Sequence, residues 1–282
     1  MAQKDIRTKQ LLAYNNIFAD IVNVLIFDGE EIIKPEDLEE TETVSQYEAE
    51  KEGHEQYRDI AKLWKKGGVR LAFFGIENQS KPDRDMALRV LAYDGMAYRA
   101  QLNHKEMVER YPVVTLVLYF GEETWNAPKS LLECLGEIPE KLKPFVNDYN
   151  LNVVQVADLP LETVKKFQSD FRAVAEYFRQ RKNLKDYQPE DRELEHIEEV
   201  LNLIAAFGGE TVLLKQYEEK RRMNRRISKM SEVMKGIVAR SEARGRSTVA
   251  QGMLRDKLPF EMVSKYTGLS EQELRKMQAE MQ

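Results

Sequence analysis

Residues 59–79 read DIAKLWKKGGVRLAFFGIENQ. Apolar and polar residues nearly alternate from Asp59 to Trp64, Lys65-Lys66-Gly67-Gly68 has turn composition, and Val69 to Ile76 is a dense apolar run. Together they read as a β-hairpin. Asp59 opens the first strand, and Glu77 closes the second eighteen residues later, so a tight hairpin brings two carboxylates toward each other. Successive strand residues face opposite ways, which sets Glu77 and Gln79 on one side and Asn78 on the other.

The flanking sequence fills in the fold. Upstream, Asn16 to Phe27 places Ile17, Ile21, Val24 and Leu25 at helical spacing, with Phe18 and Val22 widening the apolar face, and Asp28-Gly29 supplies a stop. The acidic stretch Pro35 to Glu55 lacks regular periodicity and is expected to be an exposed connection. Downstream, Met86 to Leu102 is helix-compatible, with Met86, Val90, Ala97 and Ala100 as apolar positions and Gly95 as a weak point in its continuity. Val113 to Phe120, VVTLVLYF, bounded by Pro112 and Gly121, has the composition of a strand buried on both faces, and Leu151 to Ala157 reads as another. Strands alternating with helices imply an α/β domain. From Leu161 to about Lys235 the chain is mostly helical in character, with Phe167, Phe171, Val174 and Phe178 forming an apolar stripe. Past Gly236, Phe260 to Met277 has the form helix, turn, helix, with Ser270 and Glu273 spaced as a capping box. The expected division is a core over 10–160, a helical extension with a basic helix over 161–235 and a helix-turn-helix-like segment over 236–282.

Two carboxylates on neighbouring strands can hold a hard, oxygen-seeking cation such as Mg²⁺, which activates water and neutralises charge on a phosphate. An Asp and a Glu so placed are also common as plain exposed strand ends, and the pair alone selects no chemistry. Other constellations are missing: there is no G-x-x-x-x-G-K-[ST], no G-x-S-x-G and no H-E-x-x-H. The single Cys134 excludes an internal disulfide, and His54, His104 and His196 are too scattered for a zinc site.

The chain resembles the recombination-promoting nuclease, or transposase-like, group of the PD-(D/E)XK superfamily. The likeness covers roughly residues 10 to 210 and is carried by NNIFADIVNVLIFDGEEIIKPEDL (15–38), EQYRDIAKLW (55–64), RLAFFGIENQSKPDRDMALRVLAYDGMAYRAQL (70–102) and RYPVVTLVLYFGEETWNAPKSLLECL (110–135). It implies a restriction-endonuclease-like core, a mixed central sheet flanked by helices, with a helical C-terminal extension. It also implies a metal-dependent DNA endonuclease using Mg²⁺ or Mn²⁺, with Asp59 and Glu77 as metal ligands. Gln79 stands where the wider superfamily has a catalytic lysine. Glutamine also occurs there within the subfamily, and its neutral amide implies slow or strictly metal-dependent cleavage. The alternative is a DNA-binding or regulatory protein that keeps the fold and has lost turnover. Asp20, on the first helix, is a further candidate metal ligand or an exposed polar position. Arg89 and Tyr93, four apart on one helix face, are placed to contact a phosphate or to pack on the sheet. Lys81 either lends the missing charge or is solvated.

Charge is segregated along the chain. The whole carries −5, residues 28–55 hold twelve acids against Lys34 and Lys51, and residues 215–246 hold eleven cations against four acids. Within the basic run, Arg221, Arg222, Arg225 and Arg226 are candidate phosphate contacts giving salt-sensitive, sequence-independent affinity for DNA; a solvated helix face is the plainer reading. The C-terminal helix pair is equally suited to forming a homo-oligomer. The apolar runs are too short to span a bilayer and the first ten residues lack a signal-peptide core, so a soluble, cytoplasmic protein is expected.

Overall fold

The computed structural model describes residues 9–41, 44–49, 52–57, 59–67, 69–102, 109–181, 189–208, 211–222, 228–233, 249–256 and 258–280. Its centre is the expected hairpin, β4 (Ile60–Lys66) and β5 (Val69–Gln79), paired antiparallel from Ile60↔Ile76 to Lys66↔Val69 with one register shift at Trp64/Lys65. Helix α1 (Asn15–Ile26) precedes it and α2 (Met86–Leu102) follows, crossing over to β6 (Val113–Tyr119), which runs parallel to β5; β7 (Asn152–Gln155) runs parallel to β6. A short β1 (Leu38–Glu40) adds to the free edge of β4, giving the mixed order β1-β4-β5-β6-β7.

The acidic stretch is therefore not a plain connection. It contributes β1 and a separate two-stranded ribbon of β2 (Val44–Ala49) and β3 (Glu52–Tyr57). Strand β1 buries one residue, Leu38, and exposes Glu39 and Glu40, so the pattern that normally announces a strand is absent. Helix α2 runs unbroken through Gly95. Its buried positions include Tyr93, Asp94 and Gln101 beside Met86 and Val90, whereas Ala100 is exposed.

The period-2 alternation of β5 divides the core. Ala72, Phe74 and Ile76 join Leu116 and Leu118 of β6 and pack against Ile17, Ile21 and Val24 of α1 and against α4 (Phe171–Gln180) and α5 (Ile197–Gly208). On the other face Phe73 and Val113 meet Ala61 and Leu63, while Met86 and Val90 of α2 meet Val117 and Tyr119. The stripe Phe167, Phe171, Val174, Phe178 is fully buried, yet it spans a break, since α3 (Leu161–Lys166) ends before Phe167 and α4 begins at Phe171. Asp28 and Gly29 turn the chain after α1 with φ of 54° and 90°, a conformation in which asparagine, aspartate and glycine carry the least strain. Helices α6 (Thr211–Arg222), α7 (Phe260–Thr267) and α8 (Glu271–Glu280) complete the described chain. Val263 and Leu274, from α7 and α8, form a separate small core with Ala250 and Leu254, and the Ser270–Glu273 capping box is made in both directions.

Two buried amides stitch connections to helices as a strand partner does. Asn23 on α1 donates to Ile33 O and accepts from Ile33 N at 2.8 and 2.9 Å. Gln101 on α2 does the same for Tyr111, both bonds 3.0 Å, just before β6. Removing the amide leaves a backbone donor and an acceptor unpaired, each costing about 1–3 kcal/mol. In urea unfolding, Gln101→Leu is expected to lose about 2–4 kcal/mol, whereas Arg221→Ala, which breaks only an exposed pair with Glu198, should change stability by under about 1 kcal/mol.

Candidate metal centre

Strand register sets the site. Because Ile60 lies opposite Ile76 in an antiparallel pair, Asp59 stands beside Glu77 at the mouth of the hairpin. The two are locked by reciprocal bonds: Asp59 N donates to Glu77 Oε1 at 3.2 Å, and Asn78 N donates to Asp59 Oδ2 at 2.8 Å. Glu77 lies on the α2 side of β5 and is 1% exposed. A buried carboxylate needs a counter-charge, and α2 supplies one in Arg89, whose Nη2 reaches Glu77 Oε2 at 3.4 Å. The other carboxylate oxygen of Asp59, Oδ1, meets Lys9 Nζ at 3.1 Å.

Arg89 has further partners. Its Nη1 pairs with Asp83 Oδ2 at 2.8 Å, and its Nη2 donates to Tyr93 Oη at 3.4 Å. Asp83 also accepts from Asp85 N just before α2, so one acid both fixes the turn into the helix and anchors the guanidinium. Burial opposes the charge on Arg89, but the bonds to Tyr93 and Asp83 and the charge of Glu77 outweigh it and hold the group protonated. The Tyr93 hydroxyl is pushed up, first by burial and then by the charges of Glu77 and Asp59, against the opposing Arg89.

Gln79 shares the Glu77 face and is half-buried. Asn78 points to the α1 side, 9% exposed, with neither side-chain polar atom hydrogen-bonded among the described residues. Lys81 is exposed in the loop beyond β5. The buried lysine of the hairpin, Lys62, belongs to the α1 side instead, bonded to Ala13 O and Asn15 Oδ1 at 2.7 and 2.6 Å; burial lowers its pKa despite Glu40.

Asp20 is used elsewhere. Its carboxylate accepts from Gln168 N and Ser169 N at 2.8–3.1 Å, which ties α1 to the entry of α4 on the face of the sheet away from Glu77. The structure does not bring it to Asp59 and Glu77. Arg221 and Arg222 are exposed on α6, whose Leu214 and Tyr217 pack on the core of the α1 side; Arg225 and Arg226 lie outside the described residues. Lys9 and Asp83 went unnoticed in the sequence. Lys9 had no signal, being fifty residues from Asp59, and the Asp directly before the helical run is Asp85, so an N-cap signal does not single out Asp83.

Asp59 and Glu77 offer oxygen donors of the kind Mg²⁺ and Mn²⁺ take, with water able to fill the remaining positions. Among the described residues no three Asp, Glu, His or Cys side chains converge, so a cation here would have two carboxylates from among them. No helix among those residues is long and apolar enough to cross a membrane. A family model described as "Putative transposase, YhgA-like" matches residues 5–204, a span that contains the whole site. No curated protein and no solved structure matches the chain.

The setting of Tyr93 provides a test that needs no substrate. With its pKa raised above the ordinary 10.0, its contribution to stability is full below about pH 10 and is lost as pH rises through the folded-state value. Glu77→Gln removes a charge that resists tyrosinate formation, so Tyr93 should ionise at lower pH in that variant. The readout is tyrosinate absorbance in each protein against its Tyr93→Phe counterpart; an unmoved titration removes Glu77 from the surroundings of Tyr93.

Proposed function

The chain belongs to the YhgA-like transposase family, and on that premise we propose that it is a divalent-metal-dependent DNA endonuclease with a PD-(D/E)XK core. Phosphodiester hydrolysis takes place at the mouth of the β4–β5 hairpin. The observation that carries this reading is the interlock at the hairpin mouth, where the Asp59 amide donates to Glu77 and the amide of Asn78, the residue after Glu77, donates to Asp59, which fixes two carboxylates side by side where the strands open.

Asp59 and Glu77 are the residues to hold Mg²⁺ or Mn²⁺, which when bound lowers the pKa of water and screens the phosphate. Gln79, next on the same face, positions water through its amide and contributes no charge. The α/β core with its five-stranded mixed sheet flanked by helices is compatible with such a nuclease, since the first carboxylate starts one strand of the hairpin and the second ends the other. The basic run around Arg221 and Arg222 supplies sequence-independent phosphate affinity.

A second reading has one observation in its favour. Each carboxylate oxygen of Asp59 and Glu77 already has a partner, and Gln79 is neutral, as in a fold kept for DNA binding after turnover is lost. Purified protein is expected to nick supercoiled plasmid in Mg²⁺ or Mn²⁺ and to stop when EDTA removes the metal. Asp59→Ala and Glu77→Ala should each reduce nicking by at least about 100-fold while leaving salt-sensitive DNA binding in place. Nicking that survives both substitutions rejects the site, and DNA binding without nicking in any divalent metal selects the second reading.

A further inference from the structure

Arg89 is gripped unequally. Its bond to Asp83 is 2.8 Å, the length of a strong charge-assisted pair, whereas Glu77 and Tyr93 both lie at 3.4 Å, long for a hydrogen bond. One edge of the guanidinium is anchored and the other is loosely engaged. The Arg89 side chain is 36% exposed against 1% for Glu77, so the loose edge sits between the buried carboxylate and solvent. A divalent cation shared by Asp59 and Glu77 repels the guanidinium at that distance. Gln79, beside it, brings no positive charge to the phosphate.

Resting on the nuclease reading above, we infer that Arg89 is the phosphate-binding residue of this site. It neutralises Glu77 while no metal is held, releases that carboxylate when Asp59 and Glu77 take a divalent cation, and turns the freed Nη2 edge to a non-bridging oxygen of the scissile phosphate. Asp83 keeps hold of Nη1 throughout, so the change is a swing about a fixed anchor. Guanidinium suits the task because its donors lie in a rigid fork and its charge persists across the working pH range. The Tyr93 hydroxyl, on the same helix face, is a second donor within reach of the same oxygen.

The test pairs two readouts with opposite signs. Mn²⁺ is titrated calorimetrically into the full chain, and plasmid nicking is measured at saturating Mn²⁺, for wild type, Arg89→Gln, Arg89→Lys and Asp83→Asn. Arg89→Gln is expected to bind Mn²⁺ about tenfold more tightly, having lost a competing charge, and to nick at least about 100-fold more slowly, having lost a donor to the phosphate. A residue that only supports the fold would weaken both. Arg89→Lys should keep wild-type Mn²⁺ affinity and part of the rate, and Gln79→Lys should restore at least about tenfold of the rate lost in Arg89→Gln. Asp83→Asn leaves the charge but frees the anchor, so Arg89 settles on Glu77 and Mn²⁺ binds several-fold more weakly; this variant carries the metal arm if Arg89→Gln does not fold. Mn²⁺ affinity that fails to rise in a folded Arg89→Gln or fails to fall in Asp83→Asn, or nicking undiminished in Arg89→Gln, overturns the inference. Wild type that binds Mn²⁺ and nicks no DNA refutes the nuclease reading instead, and the exchange at Glu77 is then judged on the Mn²⁺ affinities alone.

Discussion

Glu77 places a charge on a strand covered on both faces, and much of the local architecture answers that constraint. Its side chain is 1% exposed, and an unpaired carboxylate there would be strongly destabilising. The amide of Asp59 and the guanidinium of Arg89 meet it. Placing Arg89 over the strand requires α2 to begin where it does, which Asp83 secures at the helix entry. The hairpin mouth, the start of α2 and the pairing of β5 with β6 are thus parts of one solution.

A second buried acid on the same helix shows what the first is not. Asp94 is 2% exposed, and it accepts from Thr115 Oγ1 at 2.6 Å and from the hydroxyl of Tyr149. These hydroxyl donors come from β6 and from the segment before β7, and they bind α2 to the sheet. Neutral donors of this kind have no reason to leave. Glu77 instead leans on a cation that has another anchor, and a charge balanced by an exchangeable cation is suited to binding, whereas one balanced by fixed dipoles is suited to holding the fold.

The hairpin, both parallel strands and the two helices around them were legible because their apolar residues recur with the period of their elements. Where the fold went unread, the pattern was short or irregular: β1 buries Leu38 alone, and β2 and β3, VSQYEA and EGHEQY, show no period-2 alternation. Helix α2 hid part of its inner face because Tyr93, Asp94 and Gln101 are buried through hydrogen bonds, which a hydropathy period does not register. In the site, Asp59, Glu77 and the Arg89–Tyr93 pair came from spacing and family resemblance. Lys9 could not, since a contact across fifty residues leaves no local trace, and Asp20 stayed open between two readings because an acid on an amphipathic helix reads the same whether it meets a metal or the backbone at 168–169.

Charge balance gives the neutral residue at 79 a physical account. Lys9 and Arg89 already face Asp59 and Glu77, and Asp83 holds the far edge of Arg89, so among the described residues two cations stand against three carboxylates. A lysine at 79 would add a third cation on the face of Glu77. It would cancel the net negative charge that draws a divalent cation in. A site that draws its positive charge from a helix outside the strand keeps the strand itself neutral, and glutamine retains hydrogen-bonding capacity at that point without the repulsion. The neutral residue at 79 and the presence of Arg89 are in this sense a single feature, divided between β5 and α2.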